Sequence, residues 1–143
     1  MILTDTNLLL YAYNTLDKQH TQARNWFEAA VTGRESVGLC WPVISGFLRV
    51  STNARAFLQP FDMAEAVQIV ERWMKHPNIT VVEPTDRHWV ILREMLLSGQ
   101  VRSAMTTDAE IAAYASEHGA VLYTADRDFA RFPRLKTIYP LGA

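Results

Sequence analysis

Five short runs, residues 2–4, 37–40, 79–82, 121–124 and 137–139, are separated by longer amphipathic stretches, and several are apolar on both faces. A strand that buries both faces sits inside a parallel sheet, and parallel neighbours need a long crossover, usually helical, between them. The alternation predicts an α/β fold, with a short-stranded, mainly parallel sheet of four to five strands flanked by helices in three layers. Nothing divides the chain by repeat, low complexity or a Pro/Gly/Ser linker, and 143 residues suit a single domain, 1–143.

Helical spacing fills the gaps. Residues 7–16 and 21–31 read as helices, the second with Ala23, Trp26, Phe27 and Ala30 on one face. Pro42 suits the first turn of a third, which carries Ile44, Phe47, Leu48 and Val50 and stops at Asn53. Asp62 and Glu65 have capping-box spacing ahead of a helix to Lys75, and Thr85 is placed to cap one through Trp89 and Leu96. Thr107 and Glu110 have the same spacing before a final helix that ends near His118-Gly119, so Glu110 is expected to be a cap. Trp26, Trp73 and Trp89 fall among apolar neighbours and are expected in the core, leaving Trp41 as the candidate platform for a stacked base.

Composition removes several functions. Cys40 is the sole cysteine and lies in an apolar run, which argues for packing over thiol chemistry. A formal net charge of −1 argues against a protein that coats nucleic acid non-specifically, though not against an RNA substrate. No apolar run reaches membrane-spanning length, and the first residues lack the basic and apolar regions of a secretory signal, so a cytoplasmic protein without a membrane segment is expected. His20, His76, His88 and His118 show no ligand-like pairing.

The informative residues are carboxylates. Ligands of open parallel sheets bind beyond the carboxyl ends of the strands. Asp5 closes the first strand, Asp126 follows the fourth after Ala125, and Asp108 opens the helix that feeds that fourth strand. Each has a structural use: Asp5 and Asp108 at helix N-termini, and Asp126 in an Asx turn before Asp128. Together in one crevice they repel, and a bound cation relieves that repulsion; carboxylates without His or Cys partners suit Mg²⁺ or Mn²⁺.

The segments Leu3-Thr4-Asp5-Thr6-Asn7, Thr107-Asp108-Ala109 and Leu122-Tyr123-Thr124-Ala125-Asp126-Arg127-Asp128-Phe129, in that order, resemble a PIN domain of the VapC toxin type. The stretch from Trp41-Pro42 through Gly46-Phe47-Leu48-Arg49 to Asn53 resembles a mycobacterial-type branch, and the resemblance covers essentially the whole chain. It implies a PIN-like three-layer fold and a toxin endoribonuclease using Mg²⁺ or Mn²⁺. It also implies RNA as substrate, a cognate VapB-type antitoxin that occludes the metal site, and a homodimer. Asp5, Asp108 and Asp126 match the catalytic metal ligands; Asn7, Thr124, Asp128, Arg49 and Arg127 are the expected supporting or substrate contacts. Two positions depart from the pattern: Gly46 stands where many PIN domains carry a glutamate, and Glu110 where this branch often has a histidine. Gly46 raises an alternative, a weakly active or inactive PIN domain that binds RNA or protein. A haloacid-dehalogenase-like phosphatase is disfavoured, because the second aspartate of that motif is Asn7 here.

Overall fold

A computed structural model describes residues 1–142. Its sheet contains β1 (Ile2–Thr4), β2 (Val37–Cys40), β3 (Ile79–Val82), β4 (Val121–Tyr123) and β5 (Thr137–Ile138). The order is β3-β2-β1-β4-β5 and every pair is parallel. The last two strands each stop one residue short of the expected end.

The helices are α1 (Thr6–Tyr13), α2 (His20–Val31), α3 (Trp41–Ser51), α4 (Met63–Lys75), α5 (His88–Ser98) and α6 (Thr106–Glu117). β1 to β3 are laid down outward in one direction, whereas β4 returns to the other side of β1. Right-handed crossovers therefore put α1–α2 and α5–α6 on opposite faces. The reversal lies between β1 and β4, and it opens a crevice at their carboxyl ends.

Leu3, Val37, Leu39 and Leu122 are fully buried, as strands covered on both faces require. On one side Tyr13, Phe27, Phe47 and Trp73 form an edge-packed aromatic cluster, with Phe47 and Trp73 centroids 4.7 Å apart. The Trp73 indole N–H donates to the Tyr13 hydroxyl at 2.8 Å, so the cluster buries no unpaired indole nitrogen. The Asp62/Glu65 capping box forms in both directions and starts α4.

Four expectations fail. Thr85 does not cap α5: Arg87 is the N-cap and has no side-chain cap bond, while the Thr85 hydroxyl accepts the Arg87 N–H in the turn before the helix. α1 ends at Tyr13 rather than near residue 16, because Asn14 is extended and its side chain accepts the Leu16 N–H. Thr107 and Glu110 form no capping box: a 3₁₀ turn, Ser103–Met105, runs directly into α6, so Thr107 lies inside the first turn. Trp89 is 64% exposed, because α5 covers the core with Met95, its one buried residue, and turns position 89 outward.

Candidate functional site

Asp5 lies where β1 becomes α1. Its extended backbone makes it the N-cap, and Oδ1 accepts the Leu8 N–H at 3.0 Å. Its other oxygen, Oδ2, accepts the hydroxyl of Thr124, and Thr124 Oγ1 in turn accepts the Asp126 N–H at 2.9 Å. A fully buried threonine thus ties the aspartate after β1 to the backbone of the aspartate after β4. The Asx turn at Asp126 also forms: Oδ1 accepts the Asp128 N–H at 2.8 Å and starts a second 3₁₀ turn, Arg127–Arg131. For Asp5 and Asp126 the structural use and the shared crevice therefore coexist.

Asp5, Asp108 and Asp126 all line one cavity of about 440 Å³ at the β1/β4 reversal. Burial pushes the Asp5 carboxyl up to about 6; the Leu8 and Thr124 hydrogen bonds oppose the shift, and the charges of Asp126 and Asp108 add to it. Asp108 is also raised to about 6, by burial and then by Asp126 and Asp128, with Arg131 opposing. None of the three carboxylates has an ion-pair partner among the described residues. Concentrated, uncompensated negative charge and an all-oxygen donor set fit a hard divalent cation. The side chains do not form a ready-made cage: among the described residues no three His, Cys, Asp or Glu groups stand close enough to hold a metal ion.

The supporting residues divide. Asn7 and Arg49 line the cavity, and Thr124 holds Asp5 from beneath. Arg127 does not line it: its guanidinium lies 3.7 Å from the centroid of the Tyr139 ring. Asp128 is exposed and does not line the cavity; it meets the site through its backbone N–H on Asp126 and its charge on Asp108. Sequence reasoning misses Arg131. It donates to the Gly99 and Asp128 carbonyls at 3.2 and 3.3 Å, and it is the cation whose charge acts on Asp108. Sequence offers no signal for choosing it over Arg127, because the 3₁₀ turn decides which arginine faces inward.

Gly46 has a packing reason. It is buried where α3 crosses α1, and an added Cβ would lie 2.9 Å from Thr6 Oγ1 and 3.1 Å from Thr6 Cγ2. A glutamate there requires Thr6 to move. Glu110 sits away from the cavity, where its charge acts on Cys40 and Tyr114. Burial pushes the Cys40 thiol up to about 12, which makes it an unreactive packing residue.

All four histidines make local structural contacts. His20 Nδ1 is 2.9 Å from the Tyr11 carbonyl, His76 Nδ1 accepts the Asn78 N–H, His88 Nδ1 is 2.6 Å from Glu117, and His118 Nε2 is 2.7 Å from the Glu83 carbonyl. Trp41 is 44% exposed and donates its indole N–H to Glu83, while the adjacent Pro42 lines the cavity.

The chain is similar to several known proteins. A family model described as PIN domain matches residues 2–135. Ribonuclease VapC33 of Mycobacterium tuberculosis is 40% identical over 141 residues, 99% of each chain. Ribonuclease VapC37 of the same organism is 34% identical over 140 residues, 98% of this chain and 97% of that one. Among solved structures, VapBC2 from Rickettsia felis bound to a promoter DNA fragment superposes with a TM-score of 0.71 at 17% identity, covering 96% of this chain and 98% of that one. The M. tuberculosis sarcin-ricin loop cleaving toxin VapC20 gives 0.68 at 17%, covering 95% and 98%. At such identities the superpositions speak for the fold alone.

Proposed function

Because this chain belongs to the PIN-domain family, in its VapC branch, we propose that it is the ribonuclease toxin of a VapBC-type pair and hydrolyses RNA phosphodiester bonds with Mg²⁺ or Mn²⁺. The observation that carries this reading is the set of three carboxylates without ion-pair partners around one cavity at the strand-order reversal. Asp5, Asp108 and Asp126 would hold the cation, which when bound acidifies water and offsets charge growing on the phosphate. Thr124 fixes the rotamer of Asp5, and its link to the Asp126 backbone keeps two chain segments in register. Asn7 and Arg49, on the cavity wall, contact the phosphate that enters. Arg131, held by two carbonyls, keeps a fixed positive charge beside Asp108. No protein nucleophile is needed, and products would carry a 5′-phosphate and a 3′-hydroxyl.

Names of the relatives and neighbours support a VapB-type antitoxin as partner, and a cytoplasmic setting belongs to the same proposal. No helix among the described residues is long and apolar enough to cross a membrane. Met63, Val67 and Met74 lie exposed on α4 at helical spacing, a surface suited to an antitoxin helix or to a homodimer.

The test is cleavage of total RNA with Mg²⁺ or Mn²⁺, with mapping of the product ends. Asp108→Asn and Asp126→Asn should abolish cutting in folded protein; retained metal-dependent cutting in either refutes its role. A second reading, a weakly active or inactive PIN domain that binds RNA or protein, draws on Gly46 and on the absence of a ready-made cage among the described residues. It predicts little or no cleavage by the parent protein and little or no heat of Mn²⁺ binding in calorimetric titration.

A further inference from the structure

A larger cavity, about 580 Å³, opens along α5 beside the carboxyl end of α6. From Asp108 to its lining residue Ser116 is eight residues, about 12 Å of helix. Apolar Ile91, Met95 and Leu97 line this cavity together with Arg87, Arg93 and Arg134. Glu117 also lines it, but its side chain has no exposure and accepts the Thr85 N–H while meeting His88 Nδ1. Glu94 lies 3.9 Å from Arg134. Arg87 and Arg93 have no ion-pair partner among the described residues. One turn before Arg93, Trp89 exposes 64% of its surface on the same side of the helix.

Cations with a free aromatic face are what a single strand of nucleic acid uses: the cations follow the backbone and the ring stacks a base. An interface core between two protein copies is instead depleted of charge. One chain segment, residues 129–134, links the wall of the carboxylate cavity to that of the groove. Phe129, in the second 3₁₀ turn, lines that cavity, Arg131 of the same turn binds the end of α5 through Gly99, and Pro133 and Arg134 line the groove.

We propose that this α5 groove binds single-stranded RNA flanking the cut, with Arg87, Arg93 and Arg134 on phosphates and Trp89 against a base. The proposal rests on the ribonuclease reading above for the identity of the polyanion. It makes affinity depend on substrate length, since a longer strand meets more of the groove's arginines.

The probes are fluorescein-labelled oligouridylates of 6 and 20 nucleotides, followed by anisotropy in EDTA over a range of salt. The variant combines Arg87→Gln, Arg93→Gln and Arg134→Gln. The parent should bind the 20-mer more tightly than the 6-mer. The variant should lose roughly 10-fold or more for the 20-mer. Every phosphate that an arginine no longer neutralises lowers the salt slope by about 0.7 for single strands, so the slope should fall by about 2. Trp89→Ala should weaken the 20-mer and leave the slope unchanged.

An unchanged 20-mer affinity and slope, or no binding by the parent, overturns the proposal. So does a variant that changes sedimentation mass with an unaltered slope, since the groove would then hold a second copy. Cleavage of total RNA is scored separately: a parent that does not cut refutes the nuclease reading, while anisotropy still judges the groove.

Discussion

Asp5→Asn should stabilise this protein, and only where the carboxylate is ionised. Burial raises the Asp5 carboxyl from 3.8 to about 6 in the folded state, so the folded protein holds its proton to higher pH than the unfolded chain does. Stability attributable to this group is therefore full below about pH 4, falls as pH rises through the interval to 6, and stays low above it. At 1.36 kcal/mol per pKa unit, the ionised carboxylate costs about 3 kcal/mol at pH 8. An amide at this position caps α1 as well as a carboxylate does. Its NH₂ must face the Thr124 oxygen that already accepts the Asp126 N–H, which returns about 1 kcal/mol. The net gain at pH 8 is about 1–3 kcal/mol, or a Tm rise of roughly 3–10 °C for a domain of this size. Urea unfolding of parent and variant at pH 4 and pH 8, in EDTA, isolates the effect, because all other titrating groups are common to both. A stability difference equal at the two pH values, or a variant weaker than the parent at pH 8, would refute this electrostatic origin.

Addition of Mg²⁺ or Mn²⁺ at 100 times its dissociation constant should stabilise the parent by about 2.7 kcal/mol and shift Asp108→Asn far less, as read by differential scanning calorimetry. Thr124→Val removes the hydroxyl that joins Asp5 to Asp126 and should cost about 1–3 kcal/mol in urea unfolding, whereas Thr124→Ser keeps both hydrogen bonds and much of the stability. Gly46→Ala should destabilise by about 1–3 kcal/mol by crowding Thr6, and pairing it with Thr6→Gly should recover most of that deficit in the same assay. Cleavage by Arg131→Met should show a lower kcat, whereas Arg127→Met, which removes only the stacking on Tyr139, should leave kcat unaltered.

Strands, most of the helices and the carboxylates worth attention are legible along the chain, because they depend on local periodicity and on what a strand end must do. Leu3 and Leu122 lie in apolar runs that read as strands of a buried sheet, and both are fully buried; Asp62 and Glu65 read as a capping box, and they form one. Other features depend on which surfaces meet. That Asp5 and Asp126 flank a strand-order reversal follows from the path taken by the crossovers, and Thr124 joins them only because β1 and β4 pair. Thr107 and Glu110 have the spacing of a cap, yet the preceding 3₁₀ turn leaves no N-cap for them to serve. Gly46 reads as a missing ligand, and the approach of α1 to α3 shows it to be the space that Thr6 occupies. Arg127 and Arg131 are indistinguishable as residue types, and the winding of one short turn sends the first to Tyr139 and the second toward Asp108. Hydrophobic pattern and capping act over a few residues and are written along the chain. Charge coupling, close packing and the direction of a side chain act through space, and the folded arrangement alone settles them.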